Sequence, residues 1–152
     1  MLSLSSRLLH RLNNVVRLPS VSSTAPELDM SNQCVIDYLA EQFANLGFSC
    51  EIVPCKQSGK VNLIASKGTG PGGLVLAGHT DTVPFDKELW SVDPFCLTEK
   101  DNRLYGLGVT DMKGFFPVVM SAIEALDAKV FKQPLIILAT ADEETSMEGA
   151  RT

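Results

Sequence analysis

Basic residues are scarce in this chain, where 13 lysines and arginines stand against 18 aspartates and glutamates and the net charge is −5. Without a basic excess, the chain has no electrostatic reason to bind nucleic acid or an anionic membrane surface. Long apolar runs are also missing, since the longest candidate, PLIILATA at residues 134–141, has the length of a buried strand. A membrane-spanning helix needs about 18 apolar residues in succession. We therefore expect neither nucleic acid nor a membrane as a partner.

Closely spaced cysteines are absent as well. The chain has four cysteines, none of which forms a Cys-x-x-Cys pair: Cys34, Cys50, Cys55 and Cys96. The chain is neither short nor rich in cysteine, which argues against a disulfide framework and against a zinc finger. We expect reduced thiols, as in a cytoplasmic protein.

The N-terminal segment MLSLSSRLLHRLNNVVRL contains three arginines, three serines and no acidic residue. This composition is also typical of a mitochondrial presequence. No small-residue cleavage signal follows it, and its apolar residues recur at helical spacing: Leu4, Leu8, Leu12, Val15 and Val16. We favour a first amphipathic helix of the folded protein over a presequence.

Helix and strand patterns alternate along the rest of the chain. Apolar spacing predicts one helix over about 30–46, stopped by Gly47, and another from near Lys113 to about Asp127. A hairpin is predicted around KDN, at residues 96–106. Strands are predicted at 50–54, 61–66, 74–78 and 135–141. The last two have the continuous apolar runs of fully buried strands. This alternation predicts one α/β domain without an internal repeat or a linker.

Titratable side chains follow the two strands that are predicted to be buried. His79 and Asp81 follow the first strand, and Glu143 and Glu144 follow the second. Because ligand sites of open α/β sheets lie at the carboxyl ends of strands, we expect these residues at one edge. Asp111, in GVTDMKG before a predicted helix, could face the same edge. One imidazole with several carboxylates suits zinc or a similar divalent ion and resembles half of a two-metal hydrolytic site.

Each of these residues also has an ordinary structural interpretation. A histidine after a strand is usually a hydrogen-bonded packing residue, and Asp111 could cap the helix that starts near Lys113. Glu143 and Glu144 could be solvated surface residues. Since successive strand residues point to opposite faces, both glutamates can serve one site only if the backbone leaves the strand before them. Composition and spacing leave these alternatives open.

Three motifs in order, LAGHTDTVP, YGLGVTDMKG and ATADEETSMEGAR, resemble the co-catalytic zinc amidohydrolases. That family includes aminoacylases, carboxypeptidase G and succinyl-diaminopimelate desuccinylase. The resemblance covers nearly the whole chain and implies a zinc-peptidase-like catalytic domain with a mixed central sheet flanked by helices. It implies hydrolysis of an acetyl amide in a small N-acyl amino acid, with two divalent metal ions, Zn²⁺ or else Co²⁺, as cofactors. It also implies a cis peptide bond between Asp111 and Met112.

The resemblance assigns a role to each candidate residue. His79 would bind one metal ion, Glu144 would bind the other, and Asp111 would bridge both. Glu143 would be the general base that takes a proton from the attacking water and hands it to the leaving amine. Asp81 would hold the second nitrogen of the His79 imidazole and so fix its tautomer.

The family pattern needs more than this sequence contains. Members of the family place a further carboxylate ligand and a further histidine ligand well downstream of the DEE motif. This sequence ends at Thr152, and its other histidine, His10, lies in the first predicted helix. We therefore interpret residues 1–152 as a partial metallohydrolase catalytic domain, without its remainder and without the lid and dimerisation domain.

Two consequences and two alternatives follow from this interpretation. The complete protein is expected to form a homodimer, and the 152-residue chain alone is expected to hydrolyse little or nothing. The first alternative is another hydrolase of the same family, such as a desuccinylase, aminoacylase or carboxypeptidase. The second is a truncated module that binds a partner without catalysis.

Overall fold

The computed structural model describes residues 4–56, 59–126 and 131–152, which form an α/β fold. Its strands, in chain order, are Ser49–Pro54 (β1), Val61–Lys67 (β2), Leu74–His79 (β3), Thr98–Lys100 (β4), Arg103–Tyr105 (β5) and Leu135–Thr140 (β6). The main sheet has the spatial order β1-β2-β6-β3. β2 is antiparallel to β1 and to β6, whereas β3 and β6 are parallel. The predicted mixed sheet is therefore confirmed, as is the hairpin, which β4 and β5 form.

The described residues include the helices Ser6–Val16 (α1), Gln33–Asn45 (α2), Phe115–Ala125 (α3) and the short Glu148–Arg151 (α4). The first predicted helix is present as α1, whose Val15 and Val16 are fully buried. The spacing predicts Leu4 on the apolar face of this helix, and this part of the prediction is wrong. Because the Ser5 side chain caps α1 by accepting a hydrogen bond from the Leu8 N–H, Leu4 precedes the helix and stays exposed.

The boundaries of α2 and α3 differ from the predicted ones by one to three residues. α2 ends at Asn45, and Gly47, with φ of +81°, supplies the left-handed conformation that ends a helix. α3 begins at Phe115 rather than near Lys113, and Pro117 lies in its first turn, where a missing N–H costs little. The predicted end of this helix, Asp127, lies outside the described residues.

The core joins three helices to one face of the main sheet. Alternate residues of β2 and β6 point to this face, as strand geometry requires. Its buried members include Val15, Val35, Ile36, Leu39, Phe43, Leu63, Ala65, Phe116, Met120, Ile137 and Ala139. Among the described residues, no helix combines the length and the apolarity of a membrane span.

The prediction that the strand at 74–78 is fully buried is wrong. Leu74 is 57% exposed and Val75 is 51% exposed, although both belong to β3. In the described part of the chain, β3 pairs with β6 alone and therefore forms an edge of the sheet. β6 lies between two strands, and its residues are buried or half-buried in alternation.

Candidate metal centre

Two parallel strands end side by side at the candidate centre. His79, the last residue of β3, is paired with Thr140, the last residue of β6. The chain then leaves β6 and forms a turn over residues 143–146. The backbone therefore departs from the strand before Glu143 and Glu144, which is the condition for both carboxylates to reach one site.

The structure brings four of the predicted residues together at this edge. One nitrogen of His79 and one carboxylate oxygen each from Glu143 and Glu144 lie within 4.8 Å of one another. Asp111 joins them by direct contact, since its Oδ1 lies 3.0 Å from the Nε2 of His79. His10 is not a member of this group: it lies on α1, where its Nε2 is 3.2 Å from the Asn14 side-chain amide.

The His79 imidazole is buried between two acceptors. Its Nδ1 lies 3.1 Å from the backbone oxygen of Asp81, and its Nε2 faces the Asp111 carboxylate. Burial lowers the pKa of His79, but the side chains of Asp81 and Asp111 outweigh it and raise the pKa to about 9. Both ring nitrogens therefore carry protons when no metal is bound. A metal ion at Nε2 has to displace one of these protons, as is usual for histidine ligands.

Asp81 is buried and contacts both the histidine and the backbone of the two glutamates. Its Oδ1 lies 3.5 Å from His79 Nδ1, so the shorter contact of Nδ1 is with the Asp81 backbone oxygen, which accepts its hydrogen bond at 3.1 Å. Its carboxylate accepts backbone N–H bonds from Glu143 at 3.2 Å and from Glu144 at 3.0 Å. Burial raises the pKa of Asp81, but the His79 contact and these backbone donors lower it below its ordinary value. Asp81 therefore stays ionised and fixes the backbone of the two glutamates.

Asp111 occupies a loop that directly precedes α3. Its side chain contacts His79 but is otherwise open to solvent, with 74% of its surface exposed. The Asp111–Met112 peptide bond is cis, as predicted. The alternative that Asp111 caps the helix is wrong, because α3 begins after Gly114 and has no side-chain cap. The loop therefore presents the Asp111 carboxylate to His79 instead of to a helix end.

Negative charge accumulates where the two glutamates lie. Burial raises the pKa of Glu144, and the neighbouring carboxylates of Asp111, Glu143 and Asp81 raise it further, while His79 lowers it. Glu143 is 46% exposed, and its Oε2 lies 3.9 Å from His79 Nε2. Carboxylates repel one another at this spacing unless a cation lies between them.

The donor set fits a divalent metal ion. One imidazole nitrogen and three carboxylates, from Asp111, Glu143 and Glu144, converge where a cation would relieve their repulsion. Nitrogen and carboxylate ligands together suit zinc and similar ions. Among the described residues, His79, Glu143 and Glu144 form a group that could hold a metal ion, and Asp111 contacts the histidine of this group.

Several residues that support this centre have no signal in the sequence motifs. The amine of Lys60 pairs with the Asp142 carboxylate, which directly precedes the two glutamates. Asn32 donates a hydrogen bond to the Thr80 hydroxyl, and Asn62 accepts one from the backbone N–H of Ala141. Isolated polar residues in separate segments indicate nothing until the fold brings them to the ends of β3 and β6.

Residues 75–152, about half of the chain, match the model of Peptidase family M20/M25/M40. This chain belongs to that family. The resemblance carried by the three motifs is thereby confirmed at the level of the family. The structure is similar to that of the M20 family metallo-carboxypeptidase Sso-CP2 from Sulfolobus solfataricus, with a TM-score of 0.78 and 25% identity over 92% of this chain and 32% of that one. It is also similar to human carnosine dipeptidase 1, with a TM-score of 0.77 and 25% identity over 93% of this chain and 33% of that one.

The chain has higher sequence identity to curated acetylornithine deacetylases than to these two solved structures. It is 56% identical to that of Klebsiella pneumoniae and 54% identical to that of Photorhabdus laumondii, each over 138 residues. These matches cover 90% of this chain and 36% of either relative. The chain thus spans about a third of the length of the curated relatives that it matches.

Proposed function

We propose that this chain is the N-terminal part of an acetylornithine deacetylase. The complete enzyme would hydrolyse N2-acetyl-L-ornithine to acetate and L-ornithine, a step of arginine synthesis. The observation that carries the proposal is the convergence of His79, Asp111, Glu143 and Glu144 at the ends of two parallel strands. The identity of 54–56% to acetylornithine deacetylases supports the choice of substrate.

His79, Asp111 and Glu144 would hold two divalent ions, zinc by preference or cobalt, with His79 at one ion, Glu144 at the other and Asp111 between them. When bound, such ions supply Lewis acidity that polarises an amide carbonyl and favours the ionisation of water near neutral pH. The crowding of carboxylates around Glu144 supports this assignment, because a cation offsets their repulsion.

Glu143 would be the general base. Its carboxylate would accept a proton from the attacking water, whose oxygen bonds to the acyl carbon. The same carboxylic acid would then donate that proton to the amine nitrogen as the carbon–nitrogen bond breaks, which releases acetate and ornithine. The Glu143 side chain is 46% exposed, which supports this role, since a proton carrier must reach the substrate.

Asp81 would position both the His79 imidazole and the turn that carries Glu143 and Glu144. Its backbone oxygen and carboxylate face His79 Nδ1, so that Nε2 is the nitrogen directed toward the other ligands. Its two backbone hydrogen bonds fix the start of the turn that carries Glu143 and Glu144. Groups that orient metal ligands in this way raise metal affinity and activity.

The proposal extends to the setting of the complete enzyme, which we infer to be a cytoplasmic homodimer acting on a small N-acyl amino acid, without nucleic acid or membrane partners. The test is hydrolysis by the complete natural polypeptide, loaded with zinc, of acetylornithine, succinyl-diaminopimelate and a dipeptide. A kcat/KM that is highest for acetylornithine supports the proposal. A preference for either other substrate would assign a different hydrolase of the family, and hydrolysis of none would favour a non-catalytic module.

A further inference from the structure

Lys60 is a buried lysine next to the candidate centre. It directly precedes β2, its side chain is 2% exposed, and its Nζ lies 2.8 Å from Asp29 Oδ1 and 2.9 Å from Asp142 Oδ1. The same amine donates to the backbone oxygen of Met30 at 2.8 Å. Burial lowers the pKa of Lys60, but the hydrogen bonds to Asp29 and Asp142 outweigh it and raise the pKa. The lysine therefore stays charged in the interior, where lysines are rarely found unless they are paired.

Asp142 is the residue through which Lys60 reaches the centre. It directly precedes Glu143, its side chain is 2% exposed, and its backbone is left-handed with φ of +57°. Its Oδ1 also accepts a hydrogen bond from Ser22 Oγ at 2.6 Å, and its backbone oxygen accepts one from the Met147 N–H at 2.6 Å. A residue held by so many contacts fixes the direction in which the chain enters the turn.

The register of the sheet explains why these two residues meet. β2 and β6 are antiparallel, with Leu63 opposite Ala139. Extending this register by three residues places Lys60 opposite Asp142. The ion pair thus joins the start of β2 to the segment that follows β6. The backbone of the glutamates is held separately by the Asp81 carboxylate.

We propose that Lys60 is a positioning residue that holds the turn carrying Glu143 and Glu144 through its buried pair with Asp142. This inference rests on the proposed function for its catalytic readout but not for its metal-binding readout. A buried ion pair is often no more stabilising than a well-packed apolar pair, so stability alone gives little reason for a charged lysine here. Loss of the lysine would remove the cation that faces the buried Asp142 carboxylate. The cost of keeping that charge buried would displace the turn and with it the metal-binding carboxylate of Glu144.

The test compares Lys60→Met and Lys60→Arg with the wild type in the complete natural polypeptide. Lys67→Met is the matched control, since Lys67 lies at the far end of β2 and donates to the Leu46 backbone oxygen. We expect Lys60→Met to weaken Co²⁺ affinity about tenfold, as is usual when a residue that supports a ligand is lost. We also expect kcat for acetylornithine to fall with little change in KM. Lys60→Arg should restore part of the Co²⁺ affinity and part of kcat. Lys67→Met should leave the Co²⁺ affinity and kcat unchanged.

A folded Lys60→Met variant with wild-type Co²⁺ affinity and absorption spectrum would overturn the proposal, whatever its melting temperature. If Lys60→Met does not fold, Ser22→Ala removes one hydrogen bond to Asp142 and should weaken Co²⁺ affinity in the same direction. Unchanged affinity in that variant would contradict the proposal equally. If the wild type does not hydrolyse acetylornithine, the proposed function fails, while the ratio of Co²⁺ affinities still decides the role of Lys60.

Discussion

The carboxylate of Asp81 lies 3.0 Å from the backbone nitrogen of Glu144, although 63 residues separate the two along the chain. This hydrogen bond couples the segment after β3 to the turn after β6. Asp81 therefore does more than accompany a histidine. Its side chain faces His79 and also holds the backbone of the turn that carries the two glutamates. The relative position of an imidazole and two carboxylates thus depends on one buried aspartate.

Replacement of Asp81 by asparagine should weaken metal binding. The amide keeps one acceptor oxygen but loses the charge beside His79 and cannot accept both backbone hydrogen bonds as the carboxylate does. We expect zinc affinity to fall about 10- to 100-fold, the range typical of residues that orient metal ligands. Competition with a chromophoric chelator measures the affinity. Asp37→Asn, at an exposed position on α2, is the control, and an equal loss in both variants would contradict the role of Asp81.

A second prediction concerns the contact between α1 and α3. Arg11 binds the Glu124 carboxylate with two nitrogens, at 2.8 Å and 2.9 Å, and Arg7 adds a contact at 3.1 Å. Glu124→Gln removes the charge from this two-pronged pair. We expect the free energy of unfolding to fall by about 1 kcal/mol near neutral pH, because Arg11 is buried but the Glu124 carboxylate is open enough to solvent to be partly screened. Urea unfolding measures the change, with Glu41→Gln on α2 as the control.

The same pair predicts how stability depends on pH. Hydrogen bonds from Arg11 lower the pKa of Glu124 below its ordinary value of 4.5. A depressed carboxylate pKa stabilises the folded state above the unfolded value, and the contribution is lost as the pH falls through the folded value. The difference between wild type and Glu124→Gln should therefore be complete near pH 7 and shrink below about pH 4. A difference that grows on acidification would contradict this assignment.

A fourth prediction concerns the 152-residue chain taken alone. The described residues offer one histidine and three carboxylates at the centre, fewer ligands than two metal ions require. We expect this chain to bind zinc more weakly than the complete polypeptide, and His79→Ala to weaken binding further. Calorimetric titration of both proteins measures the affinity and the stoichiometry. Two tightly bound ions in the short chain would contradict the expected ligand set.

The positions of β2, β3 and β6 could be predicted from sequence because continuous apolar runs between turns are a local property. The burial of β3 could not, since exposure of Leu74 and Val75 depends on which strand lies beside them. The meeting of His79 with the two glutamates followed from parallel strand ends, which share one edge.

The supporting contacts lay beyond sequence reasoning for a different reason. Lys60 and Asp142 are each ordinary charged residues in their own segments, and only the β2–β6 register makes them a buried pair. The backbone hydrogen bonds of Asp81 require the turn after β6, which directly follows the left-handed Asp142. The cis bond after Asp111 was predicted from the family resemblance and is present.

The most direct test of the account is the Glu143→Gln variant of the complete polypeptide, measured for both acetylornithine hydrolysis and zinc content. The amide has nearly the same shape but cannot carry the proton from water to the leaving amine. We predict an unchanged zinc content and a loss of kcat of about 10²- to 10⁴-fold, the usual contribution of a general base. Glu144→Gln should instead lose zinc as well as activity. A Glu143→Gln enzyme that keeps its zinc and most of its kcat would contradict the assignment of Glu143 as the base.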